Sequence, residues 1–526
     1  MTLKRFAVLF IFLAMSACQF IPSQPAGPWW KSSVFYEIFV RSFYDSNADG
    51  IGDLNGLTQK LDYLKDLGVS GLWLMPIFPS PSYHGYDVTD YYTVNPQYGT
   101  LDDLKHLLDG AHQRGMHIIL DLPLNHTSGQ HPWFVGANSS AASKYRDWYI
   151  WSAADLGYLN PSNGPAWNRG KSGFYYSAFS PQMPDLNYRN PDVTAEMEKM
   201  VHFWLADVGI DGFRIDAAKH LIEEGQKQEN TASTHAWFKG FYQAYKADKA
   251  DAFTIGEAFN ASAFLASTYT GDQLDMMFNF ELASSFVNSA NGGSNSAIDS
   301  ALTLAKQSLP TWQFGSFLTN HDQNRVMSAL NGDVDKAKIA ATLMLTSPGT
   351  PFIYYGEELG MTGEKPDPAI RTPMRWTDSA NAGFTTGTPW EALSPDGPQR
   401  NVAGESADPA SLLSHYRKLL ALRNAHSALQ SGDLALLLTG NPAVYAALRY
   451  DQNEAILVIV NLTGKPASDY SLDLSEAVLK DGTHSLTDLF GSQNVPSLAV
   501  IGGKFSAFKP FASLPAYGTL ILKLGP

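Results

Sequence analysis

The sequence predicts an α/β fold: a (β/α)8 TIM barrel with a small inserted domain after strand 3 and a C-terminal antiparallel β-sandwich domain. Three observations carry that expectation. Eight short apolar runs recur between residues 34 and 360, with amphipathic helical patterns between several of them. The repeat breaks once, after residue 126, for a stretch far too long to be an ordinary connection. Beyond residue 430 strand-like runs follow one another across polar turns, with no helix of comparable strength.

The runs, in order, are VFYEIFV (34–40), GLWLMPIF (71–78), HIILDL (117–122), GFRIDA (212–217), FTIGEAF (253–259), MMFNFE (276–281), GSFLTNHD (315–322) and PFIYYGEELG (351–360). Most are near-continuous in Val, Ile, Leu and Phe, as strands buried on both faces tend to be. LTQKLDYLKDLG (57–68) sets Leu57, Leu61, Leu64 and Leu67 at helical spacing and stops at Gly68. LDDLKHLLDGAHQRG (101–115) repeats the plan. Strand and helix alternating eight times close a parallel barrel. After DLPLNH (121–126) no good helical pattern appears before 191, and the gap is rich in Trp, Tyr, Ser, Asn, Pro and Gly. The helix SLLSHYRKLLALRNAH (411–426) leads to AVYAALRY (443–450), EAILVIVNL (454–462) and YGTLILKL (517–524), read as strands. The expected division is an export signal at 1–18, a tether at 19–28, the barrel at 29–126 and 190–428, the insertion at 127–189 and the β domain at 429–526.

The 526 residues exceed one ordinary core, so more than one domain is required. With 37 Lys and Arg against 51 Asp and Glu, the formal charge is −14, which repels polyphosphate partners and argues against nucleic acid. A neutral substrate or a cation fits better, and no protein partner is evident. Lys4 and Arg5 precede an apolar run from Phe6 to Met15, then Ser16 and Ala17. That is the layout of a bacterial export signal, too short to span a membrane. The ending Met-Ser-Ala-Cys resembles a lipoprotein cleavage box, with Met15 where Leu is usual. The resemblance implies that Cys18, the only cysteine, becomes the lipidated first residue of an exported protein anchored to the cell envelope. Gln19 in place of Asp implies the outer membrane in a Gram-negative host. The alternative is an ordinary signal peptide cut nearby.

In such a barrel, chemistry belongs where strands end. Arg214 and Asp216 close the fourth run, Glu257 the fifth, His321 and Asp322 the seventh, while Asp121, Asn125 and His126 follow the third. Three carboxylates thus converge on one face, each beside an apolar run, where charge is costly unless paired or used. Converging acids suit glycosidic cleavage: one carboxylate attacks the anomeric carbon and another protonates the departing oxygen. Two residues apart in a strand, Arg214 and Asp216 point the same way, so the guanidinium would hold Asp216 ionised. Apolar neighbours would raise the Glu257 pKa, which suits a proton donor. Separately, DSNADGIGD places Asp45, Asn47, Asp49 and Asp53 around Gly50, oxygen ligands suited to a hard cation. The alternative there is an Asx-rich turn that caps a helix.

DLPLNH, GFRIDAAKH, IGEAF and FLTNHD resemble, in order, the four core sequence regions of the α-amylase family, glycoside hydrolase family 13, and MPDLN (183–187) resembles a fifth. The resemblance implies Asp216 as nucleophile, Glu257 as acid/base and Asp322 as transition-state stabiliser. It implies sugar contacts from Arg214, His126 and His321, a stacking Tyr86, and hydroxyl contacts from Asp87. Asp367 and Arg371 would hold the same glucose, and Lys219 and His220 would line the leaving-group side. It also implies Ca2+, or sometimes Mg2+, in the DSNADGIGD loop, with the Ile51 carbonyl as a further ligand. A second ion at Asn125 and the His220 carbonyl is a further expectation.

Lys219 and His220 favour an α-amylase that cuts inside α-1,4-glucan chains. Asp87 and MPDLN resemble relatives between oligo-1,6-glucosidases and neopullulanases. The rivals are therefore an exo-acting α-glucosidase or oligo-1,6-glucosidase, a cyclomaltodextrinase or a transglycosylase. A non-catalytic glucan-binding protein on the same scaffold ranks lower, because all three acids are present.

Overall fold

The computed structural model describes residues 27–309 and 311–525, so Cys18, the export signal and most of the tether lie outside the described residues. Eight parallel strands close a barrel: β1 (Phe35–Ile38), β2 (Gly71–Leu74), β3 (His117–Leu122), β4 (Gly212–Ile215), β5 (Phe253–Gly256), β6 (Met276–Phe278), β7 (Phe314–Ser316) and β8 (Thr350–Tyr354). β1 pairs with β8, Phe35 opposite Phe352, and this closes the ring. Each strand starts within one residue of a predicted run, but most end sooner. The first run shows why: pairing stops at Ile38, and Val40–Phe43 turn helical to carry the chain over the rim. Gly212 opens β4 because a β-carbon there would lie 1.9 Å from the Phe253 carbonyl oxygen.

Two local expectations change. The single helix expected over 57–68 is two, Leu54–Gln59 and Leu61–Leu67, broken at Lys60. The break sets the Lys60 ammonium 3.8 Å from the Tyr44 ring centre and 4.4 Å from that of Trp376, cation–π contacts that helical spacing does not reveal. The insertion also holds a helix that no apolar repeat announces, Pro132–Ser139. Pro132 takes its first turn and the His131 ring accepts the Trp133 N–H, so capping makes the helix. A three-stranded antiparallel sheet, Trp151–Ser152, Gly173–Tyr176 and Trp167–Gly170, completes the insertion.

Inside the barrel, Phe35, Trp73, Ile119, Phe253, Phe278 and Phe352 pack as a cluster of their own. Phe35 stacks on Phe352 at 4.6 Å, and Trp30 closes the base against Phe253 at 5.3 Å. The lower end is plugged, so the upper rim is left for chemistry. The C-terminal domain is a five-stranded antiparallel sheet of β9 (Asp433–Leu436), β10 (Val444–Tyr450), β11 (Ala455–Asn461), β12 (Leu486–Asp488) and β13 (Thr519–Leu524), ordered β9-β10-β11-β13-β12. Its faces divide by strand alternation. Tyr445, Ala447, Ile456, Val458 and Ile521 join the barrel's core. Ala446, Leu448, Leu457, Ile459 and Leu522 face a second core shared with two small two-stranded sheets.

Candidate active site

The site rests on a buried ion-pair layer above the aromatic plug. Arg214, on β4, is fully buried, with its guanidinium carbon 5.2 Å from the Trp73 ring centre. Its Nη1 donates to Asp121 Oδ1 at 2.8 Å and to Asp216 Oδ1 at 2.6 Å, while Nη2 lies 3.9 Å from Glu257 Oε2. Burial alone would lower the Arg214 pKa, but Asp121, Tyr86, Asp216 and Glu257 outweigh it and raise it. One permanent cation therefore orders three carboxylates.

Asp216, Glu257 and Asp322 line one cleft of about 610 Å³ at the upper rim. Ala217, between the fourth-strand acid and its helical turn, takes a left-handed conformation at φ 47°, an uncommon state for a residue with a β-carbon. That turn aims the Ala217 N–H at Glu257 Oε2, 3.0 Å away. Burial pushes the Glu257 carboxyl up, Arg214 pulls it back, and the charges of Asp216 and Asp322 push it up again, to about 7. Asp322 goes the other way. Burial opposes its charge, but His321, Arg371 and Arg214 hold its pKa below the ordinary value. Arg371 Nη2 donates to Asp322 Oδ1 at 2.9 Å and to Asp367 Oδ2 at 3.1 Å.

Tyr86, His126, Lys219, His220, Asp367 and Arg371 line the cleft beside the acids. The Tyr86 hydroxyl meets His321 Nε2 at 2.7 Å and Asp121 Oδ2 at 3.0 Å, with its ring stacked on His321. Lys219 pairs with Glu229 at 2.6 Å. Burial lowers the His126 and His220 pKa values, which favours neutral rings. Arg214 and His321 lie beneath the floor and not among its lining residues, so they reach the cleft through Asp216, Tyr86 and Asp322. Asp87 is likewise buried, with its Oδ1 3.9 Å from Nδ1 of His84, which lines the cleft. Its Oδ1 accepts the Ser80 hydroxyl at 2.6 Å and also that of Ser82.

Sequence reasoning did not single out Glu37, His84, Glu229, Phe259 or Lys365. Glu37 on β1 is buried and accepts from His321 Nδ1, so it orients that ring. Burial would lower the His321 pKa, but Asp322 and Glu37 raise it. The available signal was a lone acid inside the apolar run VFYEIFV. Asn125 donates to Asp185 Oδ2 at 2.9 Å and ties the insertion to the barrel. Among the described residues no three His, Cys, Asp or Glu side chains gather as a metal cluster there or elsewhere.

In the DSNADGIGD loop, Asp45 Oδ1 accepts the Asn47 and Ala48 N–H groups and Oδ2 accepts the Gly50 N–H. Asn47 accepts from the Asp49 N–H and Asp49 from the Ile51 N–H. Asp53 caps the helix Leu54–Gln59 through the Gly56 N–H. The Asx-turn geometry is thus present, and it curls alternate oxygen-bearing side chains round one loop. A donor set of carboxylate, amide and carbonyl oxygens fits a hard cation.

Residues 37–432 match the family described as Alpha amylase, catalytic domain. The chain is 42% identical over 466 residues to Alpha-amylase 3 of Dictyoglomus thermophilum, covering 88% of this chain and 90% of that protein. It is 36% identical to the oligo-1,6-glucosidase of Parageobacillus thermoglucosidasius, covering 83% and 91%. The crystal structure of an α-amylase from H. orenii superposes with a TM-score of 0.82 at 38% identity, covering 94% of this chain and all of that one. Fold, rim chemistry and these likenesses agree: the chain belongs to the α-amylase family, glycoside hydrolase family 13.

Proposed function

We propose that the protein is a retaining hydrolase of α-1,4-glucosidic bonds in starch and maltooligosaccharides. Asp216 is the nucleophile, Glu257 the acid/base and Asp322 the stabiliser of the transition state. The observation that carries this reading is the Arg214 guanidinium, which meets Asp216 with one terminal nitrogen and approaches Glu257 with the other. Sharing one guanidinium keeps the two carboxyls on the same side of the cleft, which supports a retaining pair, for which the spacing is roughly 5–5.5 Å. The Asp216 carboxylate attacks the anomeric carbon as Glu257 gives its proton to the departing oxygen. Glu257, now ionised, takes a proton from water, whose oxygen attacks the same carbon and releases Asp216. Tyr86, Asp367 and Arg371 bind the sugar being cleaved, and Lys219 and His220 the sugar that leaves.

The relative named α-amylase supports an internal cut, while the relatives named oligo-1,6-glucosidase support a second, exo-acting reading. Proton NMR of fresh amylose digests tests both points. An initial α-anomer with mixed maltooligosaccharides is expected. An initial β-anomer would overturn Asp216 as nucleophile, and glucose alone would favour the exo-acting reading.

A structural Ca2+, or Mg2+, in the loop of Asp45, Asn47, Asp49, Ile51 and Asp53 is part of the proposal. When bound it would cross-link that loop's oxygens. The chain is further proposed to be exported and lipid-anchored at Cys18. Cys18→Ala should then move the protein from the membrane to the soluble fraction, and unchanged fractionation would count against the anchor.

A further inference from the structure

Beneath the cleft floor, a run of hydrogen bonds joins β4 to β1. Arg214 Nη1 donates to both oxygens of Asp121, at 2.8 and 3.1 Å, and Trp73 Nε1 reaches Oδ2 at 3.2 Å. The Tyr86 hydroxyl lies 3.0 Å from the same Oδ2 and 2.7 Å from His321 Nε2. His321 Nδ1 lies 2.5 Å from Glu37 Oε1, and both side chains are buried. Each link has a direction. Burial raises the Asp121 pKa to about 6, so at neutral pH it is a carboxylate and can only accept. Burial pushes the Tyr86 phenol well above its ordinary value, so it keeps its single proton and gives it to Asp121. The Tyr86 oxygen is left to accept, and His321 Nε2 must donate to it. Nε2 also lies 3.3 Å from Asp322 Oδ2, a second acceptor. With a carboxyl oxygen at Nδ1 as well, the ring carries a proton at both nitrogens.

We propose that Glu37 holds His321 as an imidazolium at neutral pH, and that this buried charge fixes the Asp322 carboxylate for the transition state. The second half rests on the role given to Asp322 above. Glu37 touches no substrate, so it is a positioning residue that acts through His321. An amide oxygen would orient the ring equally well. An acid in so buried a place is costly unless its partner is charged, and His321 supplies that charge. The imidazolium then holds one oxygen of Asp322 while Arg371 Nη2 holds the other at 2.9 Å. The groups that face the ring come from four elements. Glu37 and Asp322 favour its charge, and Arg371, whose Nε donates to the His321 carbonyl at 2.9 Å, opposes it. Tyr86 separates it from Asp121 and Arg214. Tyr354 and Glu357, on and after β8, lie within electrostatic reach of Glu37.

Glu37→Gln keeps an acceptor for Nδ1 and removes only the charge. Nitrogen-15 NMR of histidine-labelled protein, assigned with His321→Asn, reads the ring directly. The expected result is an imidazolium at pH 7 in the unaltered protein and a neutral ring in Glu37→Gln. On maltotriose, kcat of Glu37→Gln should fall about tenfold with KM within about twofold, and the alkaline limb of its pH–rate profile should move to lower pH. A neutral His321 in the unaltered protein overturns the proposal without recourse to any variant. So does a Glu37→Gln protein whose kcat and pH profile match the unaltered one, since orientation alone would then suffice. Unaltered protein that cleaves no α-glucan overturns the α-glucan reading and the role toward Asp322, while the charge of the ring is still decided by its NMR signals.

Discussion

Glu257 shows how much one residue's chemistry depends on what the fold sets around it. Burial and two neighbouring carboxylates raise its pKa to about 7. The protonated form is the one that can donate, so kcat/KM should fall as pH rises through about 7. The sign for stability is the same. The folded pKa lies above the ordinary 4.5, so the stabilisation is fully present below 4.5 and is lost as pH rises through about 7. Glu257→Gln should cut kcat by about 10³-fold, yet melt no lower than the unaltered protein at pH 8. A pH–rate profile flat from 6 to 9 (about two units of it on the alkaline side, where a donor of this pKa must fail) would contradict the acid assignment. Asp216, Glu257 and Asp322 were legible because each stands at the end of an apolar run. Glu37 was not, since its partner His321 is 284 positions away in the chain.

At the scale of elements, the loop between β1 and its helix makes the clearest prediction. Asp45, Asn47 and Asp49 curl into successive Asx turns, and Asp53 caps the helix that follows. If an ion binds these oxygens in the folded state alone, EDTA should lower the melting temperature by about 3 °C or more. Asp49→Ala should cause a similar drop and blunt the response to chelator. A melting temperature indifferent to EDTA would remove the ion from this loop. The eight strands were readable because continuous apolar runs are required by burial on both faces. The break at Lys60 was not, because the rings that receive its ammonium, Tyr44 and Trp376, come from separate loops.

For the whole molecule, the five-stranded sheet is a shared wall. Alternate residues of β10 and β11 face the barrel's core or the C-terminal core. Two buried arginines, neither ion-paired among the described residues, act here: Arg449 ties the sheet to the barrel, and Arg423 ties the preceding helix to it. Arg449 donates to the Thr346 and Gly432 carbonyls, and Arg423 to those of Leu345 and Gly349. Burial lowers the Arg449 pKa to about 10, still high enough to keep it charged at neutral pH. Barrel and C-terminal domain should therefore unfold in one calorimetric transition. Arg449→Met should lower stability by ~2–4 kcal/mol, because it strands buried carbonyls, with kcat unchanged. A separate, earlier transition for the C-terminal domain would contradict a shared core.

The sequence by itself determined the barrel, the order of its strands and the residues at their upper ends. Strand burial, helix periodicity and the cost of a charge beside apolar runs are all local signals, written within a few residues of one another. Only the tertiary structure decided that Arg214 bridges Asp121, Asp216 and Glu257, that Glu37 orients His321, and that Asp87 accepts the Ser80 and Ser82 hydroxyls. Those outcomes are contacts between separate strands and loops. They depend on which side chains barrel closure brings within a few ångströms, and no stretch of chain records that distance.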